Sequence, residues 1–232
     1  MAREQQLQAA LQQSVDRGQL AGAVVLLSRG DQTEFAAAGW RDIENRLPVE
    51  RDTIFRIASM TKPITSVAAL MLADEGQIRL DDPISTVAPE FANLRVLRSA
   101  DGNLEDTEEA NRPITFEDLL THRAGLTYAS FHRGPIGRAY RDALGGDVID
   151  SHLSPDEWIR GLAGLPLISQ PGSLMTYGTA TDLLGFLIAR IEGPSLGSVL
   201  KRRIFDPLGM TDTGFLVPCE KRYRRAAAYG FD

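Results

Sequence analysis

Residues 55–76 read FRIASMTKPITSVAALMLADEG. Ser59 and Lys62 stand three residues apart at the head of an apolar run that Gly76 ends. On a helix, residues i and i+3 share a face, so a hydroxyl nucleophile would sit beside an amine able to take its proton. Pro63 places the start of that helix, because proline lacks an N–H and is tolerated best in the first turn. A start near Ser59 puts the hydroxyl at the positive end of the helix dipole, where developing negative charge is favoured. After Pro63 the run is apolar almost all round (Ile64, Val67, Ala68, Leu70, Met71, Leu72), which predicts a helix buried on most sides. Packing gives no reason for a lysine there, since an unpaired buried ammonium is costly. Covalent acyl transfer does give a reason. Lys62 could act as the base only when neutral, so its ordinary pKa of about 10.4 would have to fall through desolvation or nearby positive charge.

Upstream, residues 3–17 read as an amphipathic helix, with Leu7, Leu11 and Val15 at every fourth position and Gly18 at its end. Residues 22–28 (GAVVLLS) and 33–40 (TEFAAAGW) are strand candidates around the polar Arg29-Gly30-Asp31-Gln32, which predicts a hairpin. A lone hairpin is marginal in water and needs further strands or covering helices. Downstream, residues 98–112 are polar and acidic around the turn pair Asp101-Gly102, an exposed loop or small hairpin. A helix is predicted from Thr115 with Phe116, Leu119 and Leu120. Residues 127–150, rich in glycine and small side chains, show no period and read as a long surface excursion. Ser154-Pro155-Asp156-Glu157 starts another helix, and residues 179–192 form a largely buried one. Strands first and helices after make an incomplete architecture.

Tyr177 is a second candidate. It follows a Pro171-Gly172 turn and precedes a buried helix, so its hydroxyl can point at a neighbouring site. Residues 193–197, GPSLG, match the G-x-S-x-G nucleophile elbow, but the order of partners fails: the last histidine, His152, precedes Ser195. Ser195 reads instead as part of an interhelical turn. His122, His132 and His152 match no zinc spacing, and there is no Walker loop or G-x-G-x-x-G, so no metal or nucleotide cofactor is expected. Cys219 is the single cysteine, with no histidine after it, and reads as a small packing residue.

The net charge of −6 argues against a nucleic-acid or anionic-membrane partner. The basic clusters at 201–203 and 221–225 read as a solvated helix face and a solvated loop. The N-terminal stretch lacks the apolar core of a signal peptide, and no apolar run approaches the roughly 18 residues of a membrane span. The expectation is a cytoplasmic protein acting on a small molecule. Oligomeric state is left open.

Four stretches resemble, in order, the serine β-lactamase-related superfamily, with its class C-like esterases, β-lactamases and D-peptidases. FRIASMTKPITSVAALMLADEGQIRLDDPISTVAPEF (55–91) resembles its first motif, and ITFEDLLTHRAGL (114–126) the helix and turn that follow. QPGSLMTYGTATDLLGFLIARIEG (170–193) resembles the second-motif region, and RRIFDPLGMTDTGF (202–215) the return to the sheet. The resemblance implies an α+β, β-lactamase/transpeptidase-like fold: an antiparallel sheet flanked by helices, incomplete here, plus a mainly helical subdomain. Residues 1–75 and 205–232 would form the α/β part and residues 76–204 the helical part. It implies an acylated Ser59 whose backbone N–H is one oxyanion donor, Lys62 as base or proton shuttle, and Tyr177 as base or relay to the leaving group. The division between Lys62 and Tyr177 stays open.

Two departures matter. The second motif, usually Tyr-x-Asn, reads Tyr177-Gly178-Thr179 here; threonine lacks the amide and with it a hydrogen bond to substrate or Lys62, and because esterases of the family vary more at this place than its β-lactamases, the resemblance tilts the expectation toward ester substrates. The third motif, a Lys/His/Trp-x-Gly type triplet on a strand, does not appear before Tyr229-Gly230-Phe231-Asp232, which implies either a fragment of a longer enzyme or a natural truncation. The leading expectation is a serine hydrolase, a carboxylesterase on small esters. The alternatives are β-lactamase or D-amino-acid peptidase activity on amide substrates, or a catalytically silent homologue acting in binding or assembly.

Overall fold

In the computed structural model, which describes residues 3–146 and 151–230, the N-terminal hairpin forms in a single register. Strand β1 (Gly22–Arg29) pairs antiparallel with β2 (Gln32–Asp42), from Gly22 opposite Gly39 to Arg29 opposite Gln32. The turn between them is two residues long and opens on Gly30 at φ +59°, the left-handed conformation that tight hairpin turns need. A short β3 (Leu47–Pro48) adds to β2 across a bulge between Trp40 and Asp42, so the sheet has the order β1-β2-β3.

Helix α1 (Arg3–Asp16) lies on β2, held by Gln8, whose amide donates to the Ala37 carbonyl (2.8 Å) and accepts from the Ala37 N–H (3.2 Å). The Ala36 and Ala38 side chains on this strand are buried and small. Near the other end of the chain, the Ala226 N–H donates to the Ile54 carbonyl and the Ala227 N–H to the Arg41 carbonyl. Arg224 grips Asp212 with both guanidinium nitrogens (2.8 and 2.7 Å). Among the described residues β1 pairs with β2 alone, and Leu26 and Leu27 are exposed on it.

The chain divides by packing into two compact units, Met1–Ala58 with Asp212–Asp232, and Ser59–Thr211. The sequence reading drew its boundary after residue 75; packing draws it at Ser59. The helix that follows Ser59, α2 (Thr61–Asp74), packs on α6 (Ala180–Glu192) within the second unit. The core there includes Ala68, Ala69 and Leu72 of α2 with Leu183, Leu184 and Leu187 of α6, all inaccessible to solvent. Each such leucine contributes about 1.5–3 kcal/mol on burial. Helix α2 is not buried on most sides, as its composition suggested: Val67 and Leu70 are 47% and 45% exposed, and burial is confined to the face that holds Thr65, Ala68, Ala69 and Leu72.

The same unit holds a hairpin of β4 (Arg95–Leu97) and β5 (Thr107–Glu109), which bears out the small hairpin expected at 98–112. Helix α3 (Phe116–Leu120) begins at a reciprocal cap between Thr115 and Asp118. Arg112 clamps the same carboxylate with bonds of 2.6 and 2.8 Å. Helix α5 (Pro155–Ala163) starts at the Ser154–Glu157 capping box its sequence announced. Ser195 caps α7 (Leu196–Leu200) in the turn after α6, as expected of a turn residue.

Residues 127–150 depart from the expected surface excursion. They carry a 3₁₀ turn (Ala129–Phe131) and a helix, α4 (Pro135–Ala143), that buries Ile136, Gly137 and Tyr140. Its glycine is a packing device: a Cβ on Gly137 would strike the carbonyls of His132 and Ala129. Residues 147–150 of that stretch, and Phe231 and Asp232 at the end of the chain, lie outside the described residues.

Neither basic cluster is a free patch. Lys201 pairs with Asp206, Arg202 with Glu192, Arg203 with Glu192 and Glu75, and Lys221 and Arg224 with Asp212. Cys219 is exposed rather than packed. Among the described residues no single helix is long and apolar enough to cross a membrane.

Candidate active site

Ser59 sits in a 3₁₀ turn (Ala58–Met60) that runs into α2 at Thr61, so the α-helix proper starts two residues after the Ser59 start expected from the sequence. The residue before it, Ala58, holds φ +43°, a left-handed backbone that a side chain resists. Strain of this kind persists where surrounding structure over-determines it, often beside reacting groups. No side chain caps the N-terminus of α2, which continues directly from the 3₁₀ turn. Ser59 itself is exposed.

Tyr177 comes to Ser59 from a loop whose geometry is set residue by residue. Gln170-Pro171-Gly172-Ser173 forms a turn closed by the Ser173 N–H to the Gln170 carbonyl (3.1 Å), with Gly172 at φ +79°. The Thr176 N–H then donates to the His122 carbonyl at 2.7 Å. Gly178 presses its backbone on residues 126–127, where a Cβ would lie 2.7 Å from the Leu126 carbonyl oxygen. Pinned on both sides, Tyr177 directs its hydroxyl to the Ser59 Oγ at 3.0 Å.

Four further side chains surround this pair. The Lys62 Nζ lies over the rings of Tyr177 and Tyr128, 5.0 and 5.6 Å from their centroids. His122, another residue with positive φ (+55°), sets its ring 5.0 Å from that of Tyr177. Tyr128 meets Tyr177 edge-on at 5.8 Å, and its hydroxyl donates to Asp182 Oδ2 at 3.1 Å.

The electrostatics follow from these contacts. A hydrogen bond with Ser59 and the nearby Lys62 ammonium draw the Tyr177 phenol below its ordinary 10.0, against the opposing effect of partial burial. Burial works to lower Lys62, but the hydroxyls of Tyr128 and Tyr177 and the charge of Asp182 outweigh it and leave the amine above its ordinary 10.5. The depression of the Lys62 pKa that a neutral base would require is therefore not what the surroundings produce. Crowding by protein raises the Asp182 carboxyl, opposed by Lys62 and Tyr128. Burial, then Asp182, pushes Tyr128 up to about 12, so it stays a neutral phenol. Burial and Lys62 lower the His122 imidazole, which favours its neutral form.

The residues singled out from sequence thus separate. Ser59, Lys62 and Tyr177 come together in one unit, while Ser195 is spent on a helix cap. Thr179, at the departure from the second motif, is 5% exposed, and its hydroxyl finds no hydrogen-bond partner. It lines a cavity of about 160 Å³ together with Tyr128, Asp182, Trp158 and Phe186. Of the histidines, His122 joins the site, His132 meets the Thr127 hydroxyl (3.1 Å), and His152 is exposed. Sequence reasoning missed Tyr128, Asp182 and His122 as site residues. The only signal for Asp182 was an acid in the first turn of an apolar helix, which also reads as an ordinary dipole partner.

Comparison with known proteins bears on the family and the fold. The chain is 44% identical over 226 residues to Protein Rv1367c of Mycobacterium tuberculosis, covering 97% of this chain and 55% of that one. It is 36% identical over 220 residues to Esterase EstB of Burkholderia gladioli, covering 94% and 53%. Among solved structures it superposes on EstCE1, a hydrolase with promiscuous acyltransferase activity, with a TM-score of 0.82 at 31% identity, over 99% of this chain and 58% of that one. The chain therefore spans about half the length of the curated relatives it matches, and shares their α+β, β-lactamase-like fold. The Beta-lactamase family model matches residues 7–231, and the chain belongs to that family.

Proposed function

We propose that this chain carries the nucleophile of a serine hydrolase that cleaves small carboxylic esters through an acyl-enzyme on Ser59. The observation that carries the reading is the 3.0 Å contact between the Tyr177 hydroxyl and the Ser59 Oγ, with the Lys62 ammonium over the same tyrosine ring. The directions of the two pKa shifts support a division of roles within this proposal. Tyr177, drawn down, is the base in its phenolate form; Lys62, held up, is the cation that stabilises that phenolate.

In the first half-reaction Tyr177 takes the Ser59 proton as Oγ attacks the ester carbonyl. The tetrahedral oxyanion lies toward the backbone N–H of Ser59 at the head of α2. Tyr177 then returns the proton to the departing alkoxide. In the second half-reaction Tyr177 deprotonates water, which attacks the acyl-enzyme carbonyl; the acyl–Oγ bond breaks to release the carboxylic acid, and Tyr177 returns the proton to the departing Ser59 Oγ, regenerating its phenolate. The buried, amide-free Thr179 and the esterase relative support an ester over a β-lactam or a D-peptide. The cytoplasmic setting read from the sequence belongs to the same proposal.

The test is hydrolysis of a short-chain nitrophenyl ester beside a cephalosporin and a D-amino-acid amide, with and without an added alcohol as acyl acceptor. Ester turnover that vanishes in Ser59→Ala, with a fluorophosphonate adduct mapping to Ser59, supports the reading. Absence of both in the longest form of the protein overturns it in favour of a silent homologue. Faster turnover of the cephalosporin or the D-peptide replaces the substrate class.

A further inference from the structure

Asp182 has no part in the chemistry just described, yet its place is unusual. It is the third residue of α6, where an acid ordinarily faces solvent and complements the helix dipole. Here it keeps solvent access, but its carboxylate also borders the cavity it shares with Tyr128, Thr179, Trp158 and Phe186 and is engaged by a buried phenol. A carboxylate so placed wants a cation, and Lys62 is the one whose charge acts on it. The two are joined through one side chain: the Tyr128 hydroxyl gives its proton to Asp182 at 3.1 Å, and Lys62 lies 5.6 Å from the centre of the same ring. With its proton committed to Asp182, the Tyr128 oxygen offers Lys62 only lone pairs. Tyr128 is 6% exposed and meets Tyr177 edge-on, so its ring has little room to turn.

We propose that Asp182 is a positioning residue, holding the Lys62 ammonium against Tyr177 through the hydroxyl of Tyr128. The cavity beyond Asp182 then needs no cationic occupant, since Lys62 already supplies the countercharge. The titratable groups facing this assembly are Tyr177 and His122 around Lys62, and Tyr140 across the cavity. Tyr140 is fully buried with its phenol pushed up, and His122 is lowered toward its neutral form. Asp182 is therefore the negative charge in direct play on Lys62.

The inference rests on the catalytic reading only for its kinetic consequence, and its test is independent of turnover. The chain has three lysines, Lys62, Lys201 and Lys221, so the ¹³Cε signals of ¹³C-lysine-labelled protein are few enough to follow individually through a pH titration. In Asp182→Asn the Lys62 midpoint is expected to fall by about half a pH unit or more, with Lys201 and Lys221 as fixed references. Tyr128→Phe should lower it similarly, and the double variant should fall short of the sum. Near-UV circular dichroism identifies any variant that fails to fold; Tyr128→Phe, which alters a single oxygen, keeps the test open if Asp182→Asn does.

A Lys62 midpoint unmoved in Asp182→Asn overturns the proposal. So does an Asp182→Asn shift of full size in the Tyr128→Phe background, which would mean that the carboxylate acts without the phenol. If Ser59 forms no adduct in the wild-type protein, the catalytic reading fails, while the lysine titration still decides this one.

Discussion

The Tyr177 and Ser59 hydroxyls, 118 positions apart in the chain, lie 3.0 Å from each other. No other side chain of the described residues makes a hydrogen bond to the Ser59 Oγ. On the proposed mechanism the reactivity of Ser59 follows the protonation of Tyr177. Tyr177→Phe should slow fluorophosphonate labelling of Ser59 by about 10²–10⁴-fold. Because the active form is the deprotonated one and the phenol is drawn down, wild-type labelling should rise with pH to a midpoint below 10.0. A labelling rate that is flat with pH, or unchanged in Tyr177→Phe, would remove Tyr177 from the role of base.

Gly178 is the residue that lets the Tyr177 loop lie against residues 126–127. Gly178→Ala places a methyl group within 2.7 Å of the Leu126 carbonyl oxygen, so the loop must lift. Overpacking of this kind costs about 1–3 kcal/mol, and a displaced general base can cost 10²-fold in rate, to order of magnitude. The expected result in chemical denaturation and labelling is a modest loss of stability with a disproportionate loss of Ser59 reactivity. Equal, small losses would show that the loop tolerates the displacement.

Asp118 ties α3 to the loop before it. Burial raises its carboxyl, but Arg112 and the Thr115 N–H and hydroxyl more than offset that, leaving it below its ordinary 3.8. A carboxyl depressed in the folded state stabilises above its unfolded pKa and loses that contribution as pH falls through its folded pKa. Stability should accordingly drop below about pH 4 in the wild type. Arg112→Met leaves a carboxylate that is 4% exposed without its partner and should cost about 3 kcal/mol at pH 7. The penalty should shrink as Asp118 protonates, so the two stability curves converge in acid. Parallel curves from pH 7 to pH 3 would refute this account.

Ala58 holds the backbone before Ser59 at φ +43°. Ala58→Gly removes steric strain of about 1–2 kcal/mol and adds an entropic cost of about 0.5–1, for a small net gain. A β-branched residue resists this backbone more strongly, and Ala58→Val should lose about 1–3 kcal/mol. Thermal unfolding ranks the three proteins. Valine as stable as glycine would mean that the left-handed turn is not maintained.

Much of this architecture could be read from local pattern. The hairpin follows from two apolar runs around Gly30, α5 from Ser154 and Glu157, and the turn before Tyr177 from Pro171-Gly172, because each depends on neighbours within a few residues. Helix α4 was missed because glycines at 134 and 137 read as loop, when Gly137 in fact admits the close approach of two carbonyls. The exposed side of α2 was missed because composition cannot say which apolar face a neighbour will cover.

The site divides in the same way. The sequence by itself determined that Ser59 and Lys62 share a helical turn, since backbone geometry alone sets the i, i+3 relation. It also pointed to Tyr177, through its loop and through resemblance. Only the tertiary structure decided what those residues are to each other. The charge of Lys62 depends on Tyr128 and Asp182, which are remote in sequence, and the opposing effects of burial and hydrogen bonding can be weighed only once these groups are in place. Ser59 and Lys62 read from the sequence as a nucleophile with a base or proton shuttle beside it; on the proposed mechanism they are a nucleophile and a cation, with the phenol of Tyr177 as the base.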